Sequence, residues 1–273
     1  MGAEALYGER KCLSDRVAPS SQYRVCSVMK TVAPRSIPDT SPRKVGRSRR
    51  EASSAASLIA PHASLADLRK AASGCKACDL WKTGTQTVFG DGKSSAAVMI
   101  VGEQPGDQED RIGRPFVGPA GRILDQALAE AGIDREQVYV TNVVKHFKWS
   151  PAERGKRRIH KKPRYSEIQA CQPWLDAELA AVRPEVLVCL GSSAAQTLLG
   201  KDFRVTRDRG KCIPSDLAPN VIATVHPSSI LRAQDDESRH LQLAAFISDL
   251  KVVAHVMRDA RLTTVRRPDK LRR

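Results

Sequence analysis

A doubly wound three-layer α/β/α sandwich with a mainly parallel central sheet is the fold this sequence predicts, and two observations lead to it. Short runs that are apolar at every position, such as Ala97-Val98-Met99-Ile100-Val101-Gly102 and Val186-Leu187-Val188-Cys189-Leu190-Gly191, mark strands buried on both faces. These runs alternate with stretches patterned at helical spacing, the order that builds parallel strands with crossover helices. A chain of 273 residues suits one domain of roughly 200 residues with tails.

The elements follow in order. The run ending at Gly102 is the first strand. After a loop, Ile123, Leu124, Ala127, Leu128 and Ala131 give a helical stripe that Gly132 stops. Val138-Tyr139-Val140-Thr141-Asn142-Val143-Val144 is a second strand. A helix from about Ser166 to Val182 follows, with Ser166 as N-cap, and leads into the strand at Val186. Ser192 to Leu199 form a short helix, Val221-Ile222-Ala223-Thr224-Val225 a last strand, and Arg239 to Met257 a closing helix. In such folds ligands bind beyond the carboxyl ends of the strands. Three polar loops lie there: Gly102-Glu103-Gln104-Pro105-Gly106, Asn142 with its neighbours, and His226-Pro227-Ser228-Ser229.

Composition narrows the partners. A formal net charge of +15 and a pI near 9.8 favour an anionic partner. No unbroken apolar run of about 18 residues occurs and no charged-then-apolar leader follows Met1, so no membrane association is expected and a cytoplasmic location is. Residues 1–60, rich in Ser, Pro, Arg and Ala, read as a disordered basic extension. Residues 64–257 form the folded domain and 258–273 a basic tail. Nothing in the sequence calls for more than a monomer.

Seven cysteines without a secretory signal argue against a disulfide framework. Cys189 lies inside a strand and is a core residue; Cys12 and Cys26 sit in the N-terminal extension and Cys212 beside a proline. Cys75-Lys76-Ala77-Cys78 has the two-residue spacing that lets both thiolates face one metal, though a lone pair cannot close a site. Phe89-Gly90-Asp91-Gly92-Lys93-Ser94 superficially resembles two nucleotide-binding fingerprints. The phosphate loop would need glycine where Thr87 stands and the dinucleotide pattern glycine where Ser95 stands, so no nucleotide cofactor is expected.

Lys156-Arg157-Arg158-Ile159-His160-Lys161-Lys162 places one imidazole in a dense cationic segment. Such a run is commonly a solvated loop; here it also fits a nucleic-acid backbone, with a titratable group among the cations.

Four motifs together resemble the iron-sulfur branch of the uracil-DNA glycosylase superfamily, related to family 4: Gly102-Glu103-Gln104-Pro105-Gly106, Gly113-Arg114-Pro115-Phe116-Val117-Gly118, Asn142-Val143-Val144-Lys145 and His226-Pro227-Ser228-Ser229. The resemblance runs from about Ser64 to Met257. Within that branch, Lys156-Arg157-Arg158-Ile159-His160 is similar to the loop of the UdgX type, whose members excise uracil and become attached to the abasic site.

The resemblance implies a partner, uracil-containing DNA, and roles that the chemistry of glycosidic cleavage can use. Positive charge builds on the sugar and negative charge on the departing base. Glu103 is then expected beside the sugar and His226 as donor to the developing uracil anion. Extrusion of the base calls for a flat stacking partner and an amide, here Phe116 and Asn142. Gln104, Asp107, Arg158 and Ser228 are implied as residues lining uracil or touching DNA. His160 is expected as a nucleophile, kept neutral by its cationic neighbours, that attacks the sugar and ends the reaction after one turnover. A competing reading gives His160 only a phosphate contact, with water completing an ordinary multi-turnover reaction; a further one is binding of uracil or abasic DNA without catalysis.

The same resemblance adds Cys171 and His146 to Cys75 and Cys78 as metal ligands, His146 standing where relatives outside this type carry cysteine. Three cysteines and one histidine also describe a structural zinc site; the resemblance favours a [4Fe-4S] cluster.

Overall fold

The computed structural model describes residues 54–153 and 157–265. The basic extension up to residue 53, with Cys12 and Cys26, Lys156 in the cationic run, and the tail beyond residue 265 lie outside the described residues.

Four strands form the parallel part of one sheet: β1 (Val98–Gly102), β2 (Val138–Asn142), β5 (Val186–Leu190) and β7 (Asn220–Thr224), with β6 (Cys212–Ile213) antiparallel at the edge beside β7. The order is β2-β1-β5-β7-β6. The chain steps outward from β1 to β2 and then returns to lay β5 on the other side of β1, so the order reverses between β1 and β5. Crevices for ligands open at such a reversal. A separate two-stranded hairpin consists of β3 (Trp149–Pro151) and β4 (Arg158–His160), with Trp149 opposite His160.

Among the described residues eight α-helices accompany the strands: α1 (Leu65–Ala72), α2 (Asp107–Ile112), α3 (Pro119–Glu130), α4 (Tyr165–Val182), α5 (Gly191–Leu199), α6 (Val205–Asp208), α7 (Pro227–Ile230) and α8 (Asp236–Val265). Every residue of β1, β2, β5 and β7 is buried, and alternate residues feed two cores. Met99, Val101, Tyr139, Leu187, Cys189, Val221 and Ala223 pack on the side of α1, α4 and α5. Val98, Ile100, Val138, Val140, Val188 and Ile222 pack on the side of α3 and α8. This is the three-layer sandwich expected from the apolar runs.

Several boundaries move, each for a local reason. Residues 54–60, assigned from composition to the disordered extension, contain a helical turn at Ala55–Leu58 in which Ser54 Oγ accepts from the Ala56 N–H and Ala55 is fully buried. α4 starts one residue before Ser166. Its cap is the Glu167 carboxylate, which accepts from the Arg164 N–H at 2.6 Å, so Ser166 is not the N-cap. α8 continues past the expected end at Met257 to Val265, taking the start of the supposed basic tail into the helix. Among the described residues no helix is long and apolar enough to cross a membrane.

Candidate functional site

Gly102 ends β1 directly opposite Asn142, which ends β2. A Cβ added at Gly102 would collide with Asn142 Oδ1 and stand 2.9 Å from Phe116 Cζ and 3.5 Å from His226 Nε2. Three side chains, from the end of β2, the turn before α3 and the start of α7, therefore face one small volume, which exists because residue 102 has no side chain. Asn142 is 2% exposed and its Oδ1 is buried without a hydrogen-bond partner among the described residues. An orphan acceptor in a buried position costs about 1–3 kcal/mol unless a ligand supplies the donor. The rings of Phe116 and His226 lie 6.0 Å apart at 27°, a shallow slot beside that acceptor.

His226 follows β7 and caps α7. Its Nδ1 accepts the Ser228 N–H at 3.1 Å and lies 2.9 Å from the Ser228 hydroxyl, which in turn accepts from Arg232 at 3.2 Å. With Nδ1 occupied as an acceptor, the neutral ring carries its proton on Nε2, the nitrogen facing the slot. Burial, helped by Arg232 and His160, pushes the imidazole down to about 4. His226 is thus a neutral donor at physiological pH. Ser228, expected at the uracil or DNA, is spent on holding this ring.

Glu103 and Gln104 lead the chain from β1 toward the hairpin. Gln104 Oε1 accepts from the Lys148 N–H at 3.0 Å, which leaves Nε2 facing Lys161 O at 2.9 Å and His160 Nε2 at 2.8 Å. The amide can only donate there, so His160 Nε2 presents a lone pair and the ring is neutral with its proton on Nδ1. Glu103 Oε1 lies 3.6 Å from the same Nε2. The His160 imidazole is held below its ordinary value first by burial, with Arg232 adding to the effect and Glu103 opposing it. The direction is the one expected from the sequence. Its source differs, since burial leads and the cation that contributes comes from beyond α7 instead of the neighbouring run.

Arg158 departs from expectation. Its side chain is only 10% exposed and its guanidinium is consumed inside the protein: it pairs with Asp107, donates to Asp110 at 2.6 Å and to Thr85 Oγ1 at 3.2 Å. The ring faces of Phe147 and Trp149 lie 5.3 and 5.5 Å from it. Asp107, expected to line the uracil site, instead receives Arg158 and Arg111; burial pushes its carboxyl up, but those two guanidiniums outweigh burial and hold it below the usual carboxylate range. These charges attract one another across 51 residues of sequence, and pairing in a partly dry site outcompetes solvent. Together with the Trp149 Nε1–H donating to Thr83 O at 2.9 Å, they clasp the hairpin that carries His160 onto α2 and the segment at Thr83–Thr85.

Two site-building residues escaped the sequence reading. Glu109, 8% exposed, accepts from the Gly106 N–H at 3.1 Å and the Gly118 N–H at 2.7 Å, tying the loop after β1 to the loop that presents Phe116. A glutamate three residues after Gly106 is a helix-start signal that could have revealed it. Arg232 is the second; an exposed arginine after an apolar residue carries no pattern. Phe116 itself adopts φ 55°, the left-handed region, and a Cβ at Gly121 would overlap its carbonyl, so α3 presses directly on the turn that aims the ring.

Cys75, Cys78 and Cys171 gather between α1 and α4, close enough to influence one another electrostatically. Burial pushes the Cys171 thiol up to about 12 and raises that of Cys78. The Lys145 N–H donates to Cys171 Sγ at 3.3 Å and the Trp174 Nε1–H to Cys75 Sγ at 3.3 Å. Amide and indole donors on sulfur suit thiolates that carry a metal's charge. His146, the fourth expected ligand, has its Nε2 3.0 Å from Thr87 Oγ1. Among the described residues no group of three or more His, Cys, Asp or Glu side chains stands in ligating geometry. Three sulfur donors thus fit a metal group in kind, whereas His146 is turned to Thr87.

Comparison with known proteins agrees with this architecture. Residues 89–251 match the uracil DNA glycosylase superfamily. The chain is 39% identical over 170 residues to the type-4 uracil-DNA glycosylase of Thermotoga maritima, covering 62% of this chain and 84% of that protein. It is 39% identical over 175 residues to the type-4 enzyme of Archaeoglobus fulgidus, covering 62% and 83%, and 36% identical over 176 residues to that of Sulfurisphaera tokodaii, covering 62% and 76%. Since that match spans more than half of the chain and these relatives are covered over most of their length, the chain belongs to the uracil DNA glycosylase superfamily.

Proposed function

We propose that this protein excises uracil from DNA and is then captured on the abasic site through His160. The observation that carries excision is the convergence over Gly102 of an unpartnered buried amide oxygen, an aromatic ring and a neutral imidazole donor. An extruded uracil supplies what each lacks: its N3–H for Asn142 Oδ1, its face for Phe116 and its O2 for the His226 Nε2–H. As the C1′–N1 bond breaks, its electron pair leaves with uracil, and the donor aimed at O2 stabilises the anion. Binding without chemistry would not call for a donor placed against that developing charge.

Capture rests on His160. Its Nε2 lone pair, near Glu103 Oε1, is an available nucleophile for the sugar cation once the Gln104 N–H yields. Attack forms a C1′–Nε2 bond and leaves the positive charge on the imidazolium beside the Glu103 carboxylate. The second reading, ordinary turnover with water as nucleophile, is favoured by the matches to type-4 enzymes and by the hydrogen bond that occupies Nε2. Cys75, Cys78 and Cys171, with His146, would hold an iron-sulfur cluster that fastens α4 to the segment after Asn142; zinc is the alternative occupant.

A labelled uracil-containing oligonucleotide, incubated with wild type and with His160→Ala and then heated in SDS, tests the reading. The expected result is a heat-stable shifted band in wild type alone, with one uracil released per protein. Uracil released in excess over protein without a band establishes the turnover reading, and no uracil release in either protein rejects excision altogether.

A further inference from the structure

Behind Asn142 lies an ion pair from which solvent is excluded. Lys145 and Glu178 both have side chains with 0% exposure, and Lys145 Nζ reaches Glu178 Oε2 at 2.5 Å. The same ammonium donates to the backbone carbonyl of Asn142 at 2.7 Å and contacts Thr141 Oγ1 at 2.7 Å. Glu178 is held in turn by the Tyr139 hydroxyl at 2.9 Å, the Thr141 hydroxyl at 3.0 Å and the Gly90 N–H at 3.0 Å. Every partner is a strand residue of β2 or the loop packed against it.

Such a pair is an expensive way to fill a core, because each charge loses its hydration and an apolar replacement is commonly as stable or more so. Its geometry suggests another use. The Asn142 side-chain oxygen has no partner among the described residues, so the orientation of the amide is set from its backbone, and that backbone, opposite Gly102, is fastened by the Lys145 ammonium. The Gly90 contact also explains the glycine-rich run that fits no nucleotide fingerprint. A Cβ there would strike the Tyr139 hydroxyl and the Glu178 carboxylate, so glycine is what lets the loop amide reach Glu178.

Building on the uracil-excision reading, we infer that the Lys145–Glu178 pair is a positioning device for Asn142, holding the base-reading amide at the geometry that accepts uracil. Lys145 and Glu178 touch neither base nor sugar. They act through the carbonyl of Asn142, and misplacement of a positioned group by about 1 Å can cost on the order of 100-fold in rate.

The test uses the full chain with Lys145→Met and Glu178→Gln combined, which removes both charges and leaves no lone buried ion. Three quantities are measured: single-turnover uracil excision, affinity for a duplex carrying a pre-formed abasic site, and the thermal midpoint. The expected result is excision slowed by about 10-fold or more, with abasic-site affinity and thermal midpoint close to wild type. Excision within about twofold of wild type overturns the inference, and so does a loss of abasic-site affinity in proportion to the loss of excision, because a general structural defect moves both. Should the double variant not fold, Tyr139→Phe loosens the same carboxylate; selective slowing of excision supports the inference and unchanged excision overturns it. If wild type itself releases no uracil, the functional reading fails before this one is reached.

Discussion

At residue 102 the missing side chain is what makes the pocket. A methyl group there would sit against Asn142, Phe116 and His226 at once, in the space proposed for the base. Gly102→Ala should fold, since its neighbours in β1 are unchanged, yet lose uracil excision by on the order of 100-fold in a single-turnover assay; a rate within about threefold of wild type would show that the base lies elsewhere. That Asn142, Phe116 and His226 would be brought together was legible in the sequence because each sits in a short local motif, two at strand ends and one in the turn between α2 and α3. The pairing of Arg158 with Asp107 and Asp110 was not legible, for the opposite reason. Their partners stand dozens of residues away, and a cationic run gives no sign of which of its members turns inward.

The elements that bear His160 show the same limit. β3 and β4 have three residues each and α2 has six, too short for any periodicity to stand out, and the hairpin is held to α2 mainly by side chains. Breaking the clasp should therefore separate two activities. With Arg158→Met, Asp107 and Asp110 lose their shared guanidinium; the heat-stable adduct should fall several-fold while uracil release continues, because the slot over Gly102 belongs to the sheet. Adduct formation at the wild-type rate would refute the clasp. Loss of excision together with adduct would show that the hairpin also shapes the base pocket.

For the molecule as a whole, the layered fold was legible because strands apolar at every position must be covered on both faces, and helical stripes of matching number supply the cover. Strand order was not, since it depends on where each crossover returns. Partial removal of the site imidazoles from water, far more complete for His226 than for the half-exposed His160, also sets a global property. His226 and His160 titrate near 6.5 when unfolded and lower when folded, to about 4 for His226, so the unfolded chain takes up protons first as pH falls. Stability should be full above about 6.5 and decline toward pH 4, by on the order of 2–3 kcal/mol for His226. Thermal midpoints across that window test it, and a His226→Gln variant with an equally steep decline would assign the effect to other groups. The contrast between a sheet buried throughout and a hairpin fastened at its side chains has one more consequence. A two-stranded ribbon opens at a smaller free energy than a sandwich core. In the terms of hydrogen exchange, the amides of β4 open when the clasp does, whereas those of β1 wait for the whole molecule, so the protein keeps two clocks and the faster one carries His160.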